Sequence, residues 1–140
     1  MSPSPQPPAP PLVAIVDDDA SVRSSTKLLV GSLGLRSEAF ADARDFLDWP
    51  SLSEASCLIL DVVMPGMNGL ALQRQLVRVS PRLPIIFITG HAKEHEERQA
   101  LDCGAVAVLR KPVPEGLLLS TLRSVLSGSA LNAAPAAGHS

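Results

Sequence analysis

Five polar residues stand at the ends of short apolar runs in this 140-residue chain, and their types suit phosphoryl chemistry. They are Asp17, Asp18, Asp61, Thr89 and Lys111. The runs before them are continuously apolar, which is typical of strands buried on both faces of a parallel sheet. Because the carboxyl ends of parallel strands meet at one edge of an open sheet, we expect these five residues to share one crevice.

Three carboxylates in one crevice repel one another, which raises a pKa or requires a cation. A set of oxygen ligands favours Mg²⁺, which keeps several waters and uses one or two protein carboxylates. A phosphoryl group suits such a cation, since Lys111 offers a positive charge and the Thr89 hydroxyl can donate a hydrogen bond. Asp61 follows the central strand, and a carboxylate can act as a nucleophile toward phosphorus. The residues therefore predict that Asp61 accepts a phosphoryl group, with Mg²⁺ and Lys111 offsetting the developing charge.

The spacing of apolar residues predicts five βα units that position this crevice. The predicted strands cover 12–16, 35–40, 57–60, 85–88 and 105–109, and the predicted helices lie around 22–33, 42–48, 72–79, 93–103 and 118–125. Alternating strands and helices imply right-handed crossovers, hence an α/β fold with a doubly wound parallel sheet. The fourth helix has few apolar residues, so we expect it to pack lightly on the sheet. The candidates for its inward-facing side chains are Ala100, Leu101 and Cys103. Cys57 and Cys103 are both expected to be small buried packing residues.

Composition limits the class of protein and places the fold within the chain. Six of the 13 prolines lie in the first 11 residues, which predicts a disordered leader over 1–11. The folded domain is predicted at 12–126, followed by a flexible tail at 127–140. A net charge of −2 and 3% aromatic residues disfavour direct nucleic-acid binding. No apolar run approaches the roughly 20 residues of a membrane span, and no secretory signal precedes the domain, so a cytoplasmic location without a membrane partner is predicted.

Four segments at the strand ends resemble the receiver domain of bacterial two-component response regulators. The segments are Val16–Asp18, Leu60–Gly69, Ile88–His91 and Lys111–Pro112, and their spacing is most similar to the FixJ-type subgroup. The resemblance covers about 12–126. It implies a (βα)5 flavodoxin-like three-layer sandwich with a five-stranded parallel sheet in the order 2-1-3-4-5. Because the sequence ends about 14 residues past the predicted domain, we expect either a stand-alone receiver or the front of a longer regulator.

The resemblance also implies a role for each residue of the predicted crevice. Asp61 is the implied phosphoacceptor, while Thr89 and Lys111 bind the phosphoryl group. The implied Mg²⁺ ligands are Asp17, Asp18, Asp61 and the backbone carbonyl of Val63, and the Lys111–Pro112 bond is implied to be cis. The phosphoryl donor would be a sensor histidine kinase or a phosphotransfer protein. Such a domain is not an enzyme, because it assists only its own phosphorylation and dephosphorylation.

Two departures from the family leave the output mechanism open. Val108 stands where the family usually has Tyr or Phe, so the aromatic switch is missing, and Val113 stands where Phe is common. Phosphorylation is expected to switch protein–protein contacts in a phosphorelay, with a possible homodimer through the fourth and fifth helix face. The run 117–119 has one leucine too many for a single inward face, so it marks either a stray exposed leucine or a partner surface.

Three other functions compete with a phosphorylated receiver. One is a receiver-shaped protein-binding module that is not phosphorylated, and another is the N-terminal fragment of a larger transcriptional regulator. An aspartyl phosphatase needs a second acid two residues after its nucleophile, and Val63 occupies that position. The histidines, His91, His95 and His139, lack the surroundings of a phosphohistidine site, although His91 lies close enough to Thr89 to tune the access of water.

Overall fold

A computed structural model describes residues 9–64, 68–90 and 93–130, apart from the side chains of 128–130. Its strands are β1 Leu12–Val16, β2 Arg36–Phe40, β3 Cys57–Asp61, β4 Ile85–Thr89 and β5 Ala107–Arg110. Its helices are α1 Ala20–Ser32, α2 Ala43–Leu47, α3 Gly69–Val79, α4 Glu94–Asp102 and α5 Glu115–Ala130, with one turn of 3₁₀ helix at Leu52–Glu54.

The five strands form one parallel sheet in the order β2-β1-β3-β4-β5, which confirms the predicted fold class and strand order. Because β1 and β4 flank β3, the ends of all three strands lie side by side. Val16 pairs with Leu60, and Asp61 pairs with Ile88. The chain reverses its direction of winding between β1 and β3, and this is where an open α/β sheet leaves a crevice.

Both faces of the sheet are covered by apolar side chains. Along β3, successive residues alternate between two cores, as the two-residue period of a strand requires. Leu58 and Leu60 enter the core shared with α2, α3 and α4, whereas Ile59 enters the one shared with α1 and α5. β1, β3 and β4 are buried along their whole length, while the edge strand β2 is half exposed, as its polar residues predict.

Helix ends show the capping that the sequence indicates. Asp19 is the N-cap of α1, where its carboxylate accepts hydrogen bonds from the backbone N–H of Ser21 at 2.8 Å and of Val22 at 3.3 Å. Gly104 follows α4 with a φ of 105°, which glycine adopts without strain. The N–H of Ala105 then reaches back to the carbonyl of Ala100 at 3.0 Å, completing a Schellman turn.

Three aromatic rings pack together between β2 and α2. The centroid of Phe40 lies 5.6 Å from that of Phe46 and 5.1 Å from that of Trp49. Phe46 is fully buried, whereas Phe40 and Trp49 are half-buried. The backbone carbonyl of Phe40 accepts a hydrogen bond from the N–H of Asp17 at 3.1 Å, so this cluster adjoins the acidic end of β1.

The structure corrects the sequence in three places. In α4 only Ala100 is buried; Leu101 is 49% exposed, and Cys103 is exposed because the helix ends before it. β5 begins at Ala107, since Val106 lies outside the strand and is 49% exposed. α5 continues to Ala130, which includes residues assigned to the tail.

The flexible leader and tail stay predictions, since residues 1–8 and 131–140 lie outside the described residues. Of the leucine run, Leu118 is buried, Leu119 is half-buried and Leu117 is 45% exposed. No helix within the described part of the chain is both long enough and apolar enough to cross a bilayer.

Candidate functional site

The ends of β1, β3 and β5 bring three charged side chains into contact. The ammonium of Lys111 lies 3.0 Å from Asp61 Oδ2 and 3.0 Å from Asp17 Oδ2. It donates a hydrogen bond to Asp61, whereas its contact with Asp17 Oδ2 is an ion pair without hydrogen-bond geometry. Asp17 is fully buried and Asp61 is 5% exposed, so one cation serves two carboxylates that water hardly reaches.

Asp61 is the last residue of β3, and the chain that follows fixes its carboxylate. Oδ1 accepts a hydrogen bond from the backbone N–H of Val63 at 3.0 Å, while Oδ2 accepts the one from Lys111. Val63 is 46% exposed and lines an open cavity of about 620 Å³ together with Asp61 and Asp18. The predicted phosphoacceptor therefore lies in the wall of a cavity that a donor can reach.

The three carboxylates among the predicted metal ligands lie close enough together to hold one ion. Carboxylate oxygens of Asp17, Asp18 and Asp61 all lie within 4.8 Å of one another. Asp18 is exposed, which leaves room for the waters that Mg²⁺ retains. The oxygen-only donor set therefore fits a hard divalent cation.

Lys111 also lines the cavity, and its backbone is hydrogen-bonded to that of Thr89. Thr89 ends β4 and is 2% exposed, and its backbone carbonyl accepts a hydrogen bond from the N–H of Lys111 at 2.8 Å. The Lys111–Pro112 peptide bond is cis, as the resemblance implies. Gly90 lines the cavity beside Lys111, and among the described residues an added Cβ would meet the lysine side chain alone, at 3.8 Å.

The surroundings perturb the pKa of both charged partners. Burial raises the pKa of the Asp61 carboxyl and the charge of Asp17 adds to this, although hydrogen bonds from Lys111 and from the Val63 N–H work in the opposite direction. Burial by itself would lower the pKa of Lys111. Its contacts with Asp17 and Asp61 outweigh that effect, and the pKa of the ammonium is raised. The lysine therefore stays charged beside a carboxyl that is costly to ionise.

Gly69 supports the site although it has no side chain, which is why residue chemistry alone does not point to it. It is the first residue of α3, and its N–H donates to the carbonyl of Val62 at 2.7 Å. A Cβ at this position would lie 2.4 Å from the backbone oxygen of Asp61. Only glycine lets α3 come this close to the end of β3. A glycine directly after the Asn68 N-cap was the available signal.

The histidines add no described group to the site. His95 is exposed on α4, while His91 and His139 lie outside the described residues. A role for His91 in admitting water therefore stays a prediction.

Comparison with known proteins identifies the class. Residues 13–123 match the family described as "Response regulator receiver domain", and the chain belongs to that family. Domains of this family bind Mg²⁺ at an acidic pocket, and the carboxylates of the cavity form such a pocket here.

Individual relatives show the same relationship. The chain is 43% identical to the response regulator protein TodT of Pseudomonas putida over 82% of this chain and 51% of the relative. It is 35% identical to the transcriptional regulatory protein FixJ of Bradyrhizobium diazoefficiens, over 81% and 56% respectively. The crystal structure of a response regulator receiver protein from Burkholderia phymatum matches with a TM-score of 0.73 and 40% identity, over 84% of this chain and 95% of that one. The chain thus spans about half the length of the curated relatives it matches. The FixJ-type subgroup and the stand-alone status stay predictions.

Proposed function

We propose that this protein is a phospho-accepting receiver in which Asp61 takes a phosphoryl group from a sensor histidine kinase or a phosphotransfer protein. One observation carries the proposal: the Lys111 ammonium lies 3.0 Å from the Asp61 carboxylate, beside a cluster of three carboxylates. An ion pair between a lysine and an acid at the surface would leave both side chains in water, whereas Asp17 and Asp61 here are buried.

The geometry supports an in-line transfer that needs little from the protein beyond position and charge. A carboxylate oxygen of Asp61 forms a bond to phosphorus, and the bond between phosphorus and the donor nitrogen breaks. The donor histidine, which carries a proton on its other ring nitrogen, keeps the electron pair and leaves as a neutral imidazole. Lys111 lies where it can follow the charge from the carboxylate to the phosphoryl oxygens, and the Thr89 hydroxyl is assigned to bind another of these oxygens.

A divalent cation held by Asp17, Asp18, Asp61 and the Val63 carbonyl would neutralise charge on the phosphoryl oxygens. Each protein copy accepts one group, and water later hydrolyses the acyl phosphate. In this proposal the protein therefore acts as a switch and promotes only its own phosphorylation and dephosphorylation.

Incubation of the full chain with acetyl phosphate and Mg²⁺, read by intact mass, tests the proposal. We expect a mass gain of one phosphoryl group. Asp61→Asn should abolish it, and Lys111→Ala should reduce it strongly. Asp42→Asn is the matched control, because Asp42 caps α2 and asparagine also caps helices well. A folded wild-type protein that gains no phosphoryl group from acetyl phosphate or from a histidine kinase would refute the proposal.

The competing functions have less support from the site. A binding module that is never phosphorylated has no need for the contact between Lys111 and Asp61 or for the neighbouring acids. A phosphatase lacks its second acid, since Val63 is apolar. Turnover of many small phosphoesters in the same assay would favour the phosphatase.

The setting of the switch follows from the names of the relatives. Because TodT is a response regulator and FixJ is a transcriptional regulatory protein, we infer that the receiver controls transcription through contacts with other proteins. A homodimer through α4 and α5 is the expected output, and sedimentation with and without beryllofluoride measures it. No change in mass on adding beryllofluoride would remove that face as the output. A cytoplasmic location stays a prediction.

A further inference from the structure

Val108 of β5 stands where the family usually has a large aromatic side chain between the site and α4. It pairs with Phe87 and packs, half-buried, against the core that contains Ala100. Side chains two residues apart on a strand face the same side of the sheet, so Arg110 points toward α4 as Val108 does. The long side chain of Arg110 therefore reaches α4, whereas the side chain of Val108 is short.

Arg110 makes an ion pair with Glu97 of α4. Its Nη2 donates to Oε1 at 3.0 Å and lies 2.9 Å from Oε2. The arginine side chain is 70% exposed, but that of Glu97 is only 18% exposed. A carboxylate so far removed from water loses more than an exposed one when its partner leaves. Loss of this ion pair would therefore destabilise the position of Glu97 and of the part of α4 that carries it.

The two ends of α4 are held differently. Near the C-terminal end, Ala100 is buried, and its carbonyl accepts hydrogen bonds from Gln73 Nε2 at 2.9 Å and from the N–H of Ala105. The N-terminal half has no buried side chain among its described residues, and Glu97 in this half forms an ion pair with Arg110 of β5. The N-terminal half can therefore move while the C-terminal end stays in place.

The backbone connects Arg110 to the site. Arg110 pairs with Thr89 across β4 and β5, and the N–H of Lys111 donates to the carbonyl of Thr89. A shift of Thr89 toward a phosphoryl group on Asp61 would displace the strand end that carries Arg110. The same displacement would stretch the contact with Glu97.

We propose that the Arg110–Glu97 ion pair takes the place of an aromatic side chain in coupling the phosphorylation site to α4. Both are positioning residues, and the inference rests on the proposed phosphorylation of Asp61. In the resting state the pair holds the N-terminal half of α4 against β5. Phosphorylation loosens the pair, and this half of the helix is released while the end held by Gln73 remains fixed.

Amide hydrogen exchange measured by NMR on the full chain, with and without beryllofluoride and Mg²⁺, tests this. In the wild type, we expect exchange at 96–98 to quicken about two- to fivefold on adding beryllofluoride, which is the range for a partly exposed ion pair. Exchange near Ala105 should not change. Arg110→Gln should exchange quickly at 96–98 without beryllofluoride and should respond no further.

Two variants separate coupling from structure. Arg98→Gln removes an exposed arginine of the same helix that makes no ion pair with any described carboxylate, so it should respond as the wild type does. The exchanged pair Arg110→Glu with Glu97→Arg should restore the response, which a purely local role of either residue would not do. An unaltered response in Arg110→Gln would overturn the inference.

Failure of the coupling is distinguishable from failure of the proposed function. Intact mass after acetyl phosphate treatment should show full phosphorylation of Arg110→Gln, because this side chain does not touch the carboxylate cluster. If the wild type gains a phosphoryl group while Arg110→Gln keeps the normal exchange response, only the coupling is refuted. If the wild type gains none, the proposed function itself is refuted.

Discussion

Replacement of Gly69 by alanine tests how closely α3 must approach the end of β3. An added Cβ would lie 2.4 Å from the backbone oxygen of Asp61, 2.9 Å from Val62 Cα and 3.0 Å from Phe87 Cε1. Carbon atoms in contact are comfortable at roughly 3.5–4.0 Å, so α3 would have to retreat by about 1 Å. Two of the three obstructing atoms belong to the backbone of the sheet and its following loop, which cannot rotate away as a flexible side chain would.

The expected cost follows from overpacking of a dense core. Extra methyl groups in such sites cost about 1–3 kcal/mol, and the backbone contacts here place Gly69→Ala near 3 kcal/mol or above. For a domain of this size, that loss lowers the melting temperature by roughly 10–15 °C. Urea unfolding of the full chain at pH 7, followed by circular dichroism, gives the free energy of unfolding directly.

Gly31 supplies the matched control for this experiment. It also lies in a helix, but a Cβ there would meet no atom of the described residues within 4 Å. Gly31→Ala should therefore gain about 0.5–1 kcal/mol from helix propensity. A free energy of unfolding for Gly69→Ala within about 0.5 kcal/mol of the wild type, or an equal loss in both variants, would contradict a close contact of α3 with β3.

Three further predictions concern titration, thiol chemistry and metal. Burial raises the pKa of Asp61, so the folded protein keeps this proton to a higher pH than the unfolded chain does. The metal-free protein should therefore lose stability as the pH rises from about 4 through the folded pKa. Asp61→Asn should abolish that part of the stability profile. Burial raises the pKa of Cys57 to about 12, whereas Cys103 is exposed. A thiol reagent at pH 8 should therefore label one cysteine in the native protein and two in urea. Rapid labelling of Cys57 in the native protein would contradict its burial. Mg²⁺ at 100 times its dissociation constant should raise the free energy of unfolding by about 2.7 kcal/mol over an EDTA control, and a full gain in Asp18→Asn would show that the ion binds elsewhere.

The sheet and the meeting of its charged residues were predictable because each depends on local information. An apolar run such as 57–60 indicates a buried strand by itself, and the topology of a parallel sheet then brings Asp61 to the same edge as Lys111. No packing detail is needed for either inference. The sequence also indicated the caps at Asp19 and Gly104, since both depend on neighbouring residues.

Features that depend on how one element rests on another were not predictable. The need for glycine at position 69 comes from a carbonyl of β3, and the ion pair of Arg110 depends on the rotation of α4. With only Ala100 buried, periodicity does not fix that rotation, which is why the inward assignments of Leu101 and Cys103 were wrong. The start of β5 at Ala107 depends on where its ladder to β4 begins.

The aromatic cluster makes the molecule observable without a label. Trp49 is the single tryptophan and the chain has no tyrosine, so ultraviolet emission excited near 295 nm comes from one indole. That indole packs on Phe40, whose carbonyl bonds the backbone of Asp17. One residue, Phe40, thus separates the intrinsic fluorophore Trp49 from Asp17 of the acidic cluster. Changes at this end of β1 can therefore be followed by tryptophan fluorescence in real time.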